Sequence, residues 1–473
     1  MSGTGGLLAL PPLWVCIALA ASTPAAADPL LEASGASVLD LTLEDSVRLA
    51  LERNRSLLDR RLDREAGRLS LEVAEDRWTP RVTVGSFASR DQHDRRAGVG
   101  IETGLRVPTG GAFALRWDES LSSEFDDGGS RTFSFSQPLL KGAGTDIDSA
   151  PVRQARIGEK RDILGFRRAA EDLIVTVTDA YRSLSRAVRQ VEIGEASLRR
   201  AHGQLEATRA LIRAGRVARR EAGRSEVAVA NRELSLTRAR NRLEAAQFAL
   251  IDILELDSRV RIRPLEVLQP PSGESVAGRA FDAAFEEALG RRADYLQARL
   301  RVESAEIALA VTSNDLLPDL SLRFEWNRDN AGRNNNEVRL DATVPLNDRE
   351  PALARLRARH EIRKAERGLL ELRESIGIEL RRVMNDVEVG RRLTELARNA
   401  RELAEGNLEV ERAKFGQGLS SAFEVAASED ELVGAEEAEV EAIVAWLGAL
   451  TQLDRVSGQV LDRWGIRLEA VPE

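Results

Sequence analysis

The stretch LEDSVRLALERNRSLLDRRLDREAGRLSLEVAEDRWTPRV (43–82) decides how this chain is read. It recurs as FDAAFEEALGRRADYLQARLRVESAEIALAVTSNDLLPDL (281–320) at a constant offset of 238 residues. Leu43 pairs with Phe281, Val47 with Phe285, Ala50 with Ala288, Leu62 with Leu300, Glu65 with Glu303 and Leu69 with Ile307. The match runs without a gap for 40 residues and closes on Pro80 over Pro318, each followed by a strand-like run. A supersecondary unit that occurs twice marks a duplicated fold.

Outward from the repeat, the pattern is mostly helical. Thr42 is a candidate N-cap, with Asp45 three residues later, for an amphipathic helix over 43–53. A second helix fills 55–77 and stops at Pro80. From 150 to 213 apolar residues recur at helical spacing, with Leu184, Val191, Leu198 and Leu205 seven apart, the spacing of a coiled-coil seam. Gly215 interrupts this helix and another follows over 221–254. The second copy predicts helices at 281–289, 294–315, 351–414 and 423–456, with a break around Gly416-Gln417-Gly418. The linker 259–278, with Pro264, Pro270 and Pro271, reads as an irregular connection. The organisation is therefore a leader (1–27), a first repeat (28–258), the linker, a second repeat (279–458) and a tail (459–473).

Composition agrees with long helices. Charged residues make up 31% of the chain and aromatics 4%, a profile that favours extended helices over one large core. The net charge of −9, without a basic block, points away from nucleic acid. Cys16, His93, His202 and His360 are the only Cys and His residues, and none lies near another at ligand spacing, so no metal or cofactor is expected. Residues 1–27 carry no charge, and Ala25-Ala26-Ala27 precedes Asp28, which reads as a secretory signal cut after Ala27. Pro11-Pro12 splits the apolar run below the roughly 18 residues a spanning helix needs. No later segment is apolar enough to span as a helix, so entry into a membrane requires a β-barrel.

Between the helices, period-two alternation predicts strands. Val99, Ile101, Leu105 and Val107 oppose Gly100, Glu102, Gly104 and Arg106. Leu320, Leu322, Phe324 and Trp326 oppose Ser321, Arg323 and Glu325, and Val338, Leu340, Ala342 and Val344 oppose Arg339, Asp341 and Thr343. A soluble sheet with one buried face would show the same alternation. Runs of about 9–11 residues with charges on one face fit a water-filled barrel better. The first copy has 58 residues from Pro80 to Pro138, against 27 from Pro318 to Pro345 in the second. The 31 extra residues are expected to extend a hairpin above the membrane, since two strands per copy would match the helices below; the apolar face of 99–107 points instead to added barrel strands.

The helix breaks also repeat, at offset 203: Ala214-Gly215-Arg216 over Gln417-Gly418-Leu419, Glu221 over Glu424, Glu226 over Glu429. Glycine supplies the positive φ of a helix C-cap, and a carboxylate suits the next N-terminus, so capping accounts for both.

The ordered set LTLEDSVRLALERN (41–54), SQPLLKGAG (136–144), RAGRVARREAGRSEV (213–227) and FGQGLSSAFEVAASEDEL (415–432), with Pro80 and Pro318 opening the strands, resembles the TolC family of outer-membrane efflux proteins over essentially the whole mature chain. The resemblance implies an α+β membrane protein. Three copies would share one outer-membrane β-barrel, continued by a long periplasmic α-helical barrel. It implies a passive export duct working with a periplasmic adaptor and an energised inner-membrane pump. By the same resemblance Glu424 is the constriction residue, Glu221 its counterpart and Phe415 a gating aromatic. Ala427 and Ser420 stand where a second acid and a basic partner are expected. The turns at Gly215, Arg216, Arg219, Arg220, Gly418 and Leu419 are the adaptor-docking candidates. Arg213, Arg216, Arg219, Arg220 and Arg224 would contact the adaptor or latch onto Glu429, Asp430 and Glu431; a solvated helix end is the alternative for any one of them. Type I protein secretion uses a similar duct. A structural coiled-coil protein of the envelope would explain the helices but not the duplicated strands, and no nucleophile–base pair, metal cluster or phosphate loop points to an enzyme.

Overall fold

The computed structural model describes residues 38–90, 95–120, 129–270, 280–329 and 332–466; the predicted leader and Cys16 lie outside them. The chain opens with β1 (Val38–Leu41), α1 (Leu43–Arg53) and α2 (Arg55–Glu75). Thr42 makes the expected capping box with Asp45: its hydroxyl accepts from the Asp45 amide at 3.1 Å. Asn54 caps α2 by accepting from the Leu57 amide.

Four strands follow, β2 (Arg81–Arg90), β3 (Arg95–Arg106), β4 (Ala112–Ser120) and β5 (Ser130–Pro138). After α3 (Thr145–Asp148) come the long helix α4 (Ala150–Arg213) and its return α5 (Arg220–Leu254). A short β6 (Arg261–Pro264) leads to the second copy: α6 (Phe281–Arg291), α7 (Ala293–Asn314), β7 (Asp319–Asp329), β8 (Asn334–Thr343), α8 (Glu350–Gly416) and α9 (Ala422–Val456), then α10 (Val460–Arg463). The linker is thus less irregular than its prolines suggested, because β6 pairs in parallel with β1.

With 64 and 67 residues, α4 and α8 are about 96 and 100 Å long at 1.5 Å per residue. Each has a proline in its first turn, where the missing N–H costs nothing. Neither short return helix covers a long one alone. The lower part of α4 packs on α5 and its upper part on α2; α8 is covered likewise by α9 and α7. The largest apolar core lies midway, where Val47, Ala50, Ile174, Val177, Leu184, Leu250, Leu254 and Ile262 bring together α1, α4, α5 and β6. Buried Tyr181 donates to the Leu41 carbonyl at 3.0 Å and ties α4 to β1.

The strands form one antiparallel sheet ordered β2-β3-β4-β5-β7-β8. This corrects the expectation of an extended hairpin. The extra residues of the first copy form two full strands, paired at the same level as the rest: Ile101 lies opposite Trp117, Leu115 opposite Phe133, Phe133 opposite Trp326 and Phe324 opposite Val338. Directly paired residues share a face. One face therefore carries an apolar band across all six strands, through Val84, Ile101, Leu115, Phe133, Phe324 and Val338, with Phe113 stacked on Phe135 at 4.5 Å; Thr103 opposite Val82 and Arg131 opposite Trp117 are polar members of the same face. The other face carries Gly100, Glu102, Arg116, Ser134, Arg323, Glu325, Glu337 and Asp341.

Sheet and helices meet at Asp148, which is buried. It accepts from Trp78 Nε1 at 2.8 Å and Arg77 Nη2 at 3.1 Å, and Arg106 Nε of β3 lies 3.3 Å away. The SQPLLKGAG segment makes the turn beside it. Gly142 and Gly144 take φ of +77° and +99°, and the Gly142 amide donates to Asn314 Oδ1 at 2.7 Å.

Candidate gate at the helix tips

The two lower turns are built alike. After α4, Gly215 adopts φ +71°, and the Arg216 amide donates back to the Leu211 carbonyl at 2.9 Å. After α8, Gly418 adopts φ +78°, and the Leu419 amide donates to the Lys414 carbonyl at 2.9 Å. Both are the six-to-one bond of a left-handed C-cap, which glycine permits without a Cβ clash. Arg213, Arg216, Arg219, Arg220 and Leu419 are exposed around these turns.

The two paired carboxylates differ in use. Glu424 closes a capping box at the start of α9: it accepts from the Ser421 amide at 2.8 Å while the Ser421 hydroxyl accepts from its own amide at 3.3 Å. The Ser420 hydroxyl donates to it at 2.8 Å. The backbone N–H of Ser421, then the two serine hydroxyls, hold its pKa below the ordinary value. Ser420, where a basic partner is expected, also lies against Glu411 of α8; its single proton serves either carboxylate, so the hydroxyl joins the two sides of the turn. Glu221 of α5 is buried, with Arg224 Nη1 at 3.1 Å and Arg220 Nε at 3.5 Å. Phe415 lies in the lower apolar core with Leu408, Ala422, Val425 and Leu432.

The cross-helix latch exists, but its donors are not the tip arginines. Buried Glu429 of α9 accepts from Arg200 Nε of α4 at 2.6 Å and from Arg412 Nη2 of α8 at 3.1 Å. Ser197 of α4 adds a hydroxyl at 3.3 Å. Arg232 of α5 reaches Asp430 at 2.6 Å, so all four lower helices are tied within two residues of α9. Arg200 also approaches Glu436 at 3.5 Å; burial raises the Glu436 pKa and Arg200 opposes that shift. A cavity of about 30 Å³, room for a single water, lies among Arg200, Gln204, Arg232, Arg412 and Glu429. The sequence reading paired Glu429 with the tip arginines and missed Arg200 and Arg412, since only a local hint, the polar face of Ser197, Gln204 and Thr208 just above the α4 tip, marks this level of the helix.

Among the described residues no cluster of His, Cys, Asp and Glu could hold a metal ion, and no helix is long and apolar enough to cross a membrane.

The comparisons with known proteins agree with this architecture. The family model described as "Outer membrane efflux protein" matches residues 47–254 and 284–459. No functionally curated protein matches the chain. Among solved structures, the outer membrane protein VceC from Vibrio cholerae superposes with a TM-score of 0.69 at 15% identity, over 88% of this chain and 96% of that one. The CmeC outer membrane channel of Campylobacter jejuni gives 0.68 at 14% identity, over 88% and 85%. The open state of the Neisseria gonorrhoeae MtrE outer membrane channel gives 0.65 at 15% identity, over 89% of each chain. These likenesses show a shared fold, and the family match spans both halves of the duplication: the chain belongs to the outer membrane efflux proteins, the TolC family.

Proposed function

We propose that three copies of this chain form a passive export duct, with the sheets closed into one outer-membrane barrel and the helices forming a periplasmic tunnel. The observation that carries this reading is the apolar band crossing all six strands of a sheet whose other face is charged and small. Val84 is 68% and Val338 71% exposed in a single copy, and they sit on the first and last strands. An apolar face of that extent needs cover, and hydrocarbon supplies it while the polar face lines water.

In lipid an open sheet edge leaves backbone groups without partners. Here β2 and β8 are the free edges, on opposite sides of the sheet. Pairing β8 of one copy with β2 of the next is a head-to-tail contact that closes into a ring. Three six-stranded sheets would give eighteen strands, enough for an aqueous channel.

The tunnel would narrow at the helix tips, where the Glu429 lock holds both hairpins together. The exposed turns at Gly215, Arg216, Arg219, Arg220, Gly418 and Leu419 would meet a periplasmic adaptor, and an inner-membrane pump would supply the energy. The chain itself supplies a path and no chemistry. Extraction tests the reading: the protein should leave the outer membrane only in detergent, as a complex of three that separates on heating. A water-soluble monomer would contradict it.

A further inference from the structure

Two arginines stand on the apolar face of the sheet. Arg131 of β5 lies directly opposite Arg328 of β7, and the next pair on that face of the same two strands is Phe133 with Trp326. Both arginines are exposed. Trp117 of β4 lies opposite Arg131, and Asn334 of β8 lies opposite Arg328. The pair sits about 7 Å along the strands beyond Phe133 and Trp326. That is the end of the sheet away from the helices, since β7 starts beside α7 and ends at Asp329.

Like charges directly opposite each other destabilise a strand pair. Arg323 opposite Arg339 on the polar face is also such a pair, but there Glu337 accepts from Arg339 Nε at 2.8 Å. At Arg131 the neighbour is an aromatic ring. Its guanidinium lies over Trp117, 5.6 Å from the ring centroid, a cation–π contact that holds it at the edge of the apolar band. Glu119, two residues further along β4, accepts the Trp117 indole N–H at 3.3 Å.

An anion between the two arginines would relieve their repulsion. Directly opposite residues have Cβ atoms about 4.5–5.5 Å apart, so two guanidiniums can reach one tetrahedral anion, each with two parallel N–H donors. The surroundings select its source. Aromatic rings at the edge of an apolar band mark the level of lipid headgroups. Leu322, Phe324 and Trp326 continue the same face below Arg328, where acyl chains attached to the anion would lie. A free phosphate would gain nothing from those side chains.

We infer that Arg131 and Arg328 clamp the phosphate of a lipid headgroup in the outer leaflet, with its acyl chains against Phe133, Phe324 and Trp326. The inference rests on the duct reading above, which puts this face in lipid and this end outermost, and adds a lipid site to the barrel.

Native mass spectrometry of the full-length trimer, released from a neutral detergent, tests it. Dioleoyl phosphatidic acid should be retained, and dioleoylglycerol, with the same chains and no phosphate, should be lost. Arg131→Gln with Arg328→Gln should weaken retention of the phosphatidic acid about tenfold. Arg323→Gln with Arg339→Gln, which removes as many charges from the polar face, should leave it unchanged. Three results would each overturn the site and leave the trimer standing: equal retention of the two lipids by the parent, equal retention of phosphatidic acid by parent and clamp variant, or its displacement by an equal concentration of inorganic phosphate. Where the clamp variant does not assemble, the parent's choice between the two lipids decides. A water-soluble monomeric parent overturns the duct reading itself.

Discussion

Glu429 joins three of the four lower helices. It is buried and accepts from arginines on two other helices, so removing its charge takes from Arg412 its partner across the helices and leaves Arg200 only Glu436, at 3.5 Å. Glu429→Gln should cost about 3–5 kcal/mol of hairpin stability, read as a lower denaturant midpoint for the helical signal; an unchanged midpoint would remove the lock from the account. Glu424 sets a pH dependence. Its folded pKa lies below the ordinary 4.5, so its contribution is present above 4.5 and is lost as pH falls through the lowered value. Acidification through that range should speed amide exchange in the first turn of α9, and Glu424→Gln should abolish the pH step. Sequence made the tip glycines and the capping carboxylate legible, because both act through local backbone. It did not make the lock legible: Arg200 and Glu429 are 229 residues apart and meet only once α4 packs on α9. Phe415, read by resemblance as a gating aromatic, is held in the apolar core beside the turn.

At the scale of elements, the junction of sheet and helices rests on Asp148, which gathers Arg77, Trp78 and Arg106 from two separate segments. Asp148→Ala should uncouple β3 from the top of α4 and cost about 3 kcal/mol, the lower range for stripping a buried ion pair of one partner. The measurement is the temperature at which the detergent-solubilised complex separates, which should fall. The long helices were legible to within a few residues, because seven-residue spacing without proline admits little else. The strand count was not. Alternation marks a strand and its faces but not its neighbours, and only the pairing of Ile101 with Trp117 and Phe133 with Trp326 shows the extra strands level with the others. Strands β1 and β6 were missed because each has four residues and pairs across more than 200 positions.

Taken whole, the proposed duct needs three molecules, of which one chain supplies a third. Its six-stranded sheet ends in two strands, β2 and β8, each with one edge unpaired within the chain. An apolar band that faces lipid, as proposed, should respond to charge on one side of the sheet only. Val338→Arg should sharply lower the amount of protein assembled in the outer membrane, at about 2–4 kcal/mol for a cation near mid-bilayer, whereas Glu337→Gln on the polar face should assemble normally; equal yields would contradict the assignment of faces. Single-channel recording in a planar bilayer shows whether three copies form a duct that narrows at the helix tips. The parent trimer should conduct weakly, and Glu429→Gln, releasing the lock, should raise conductance several-fold. Inserted trimers that pass no current in either form would contradict the duct.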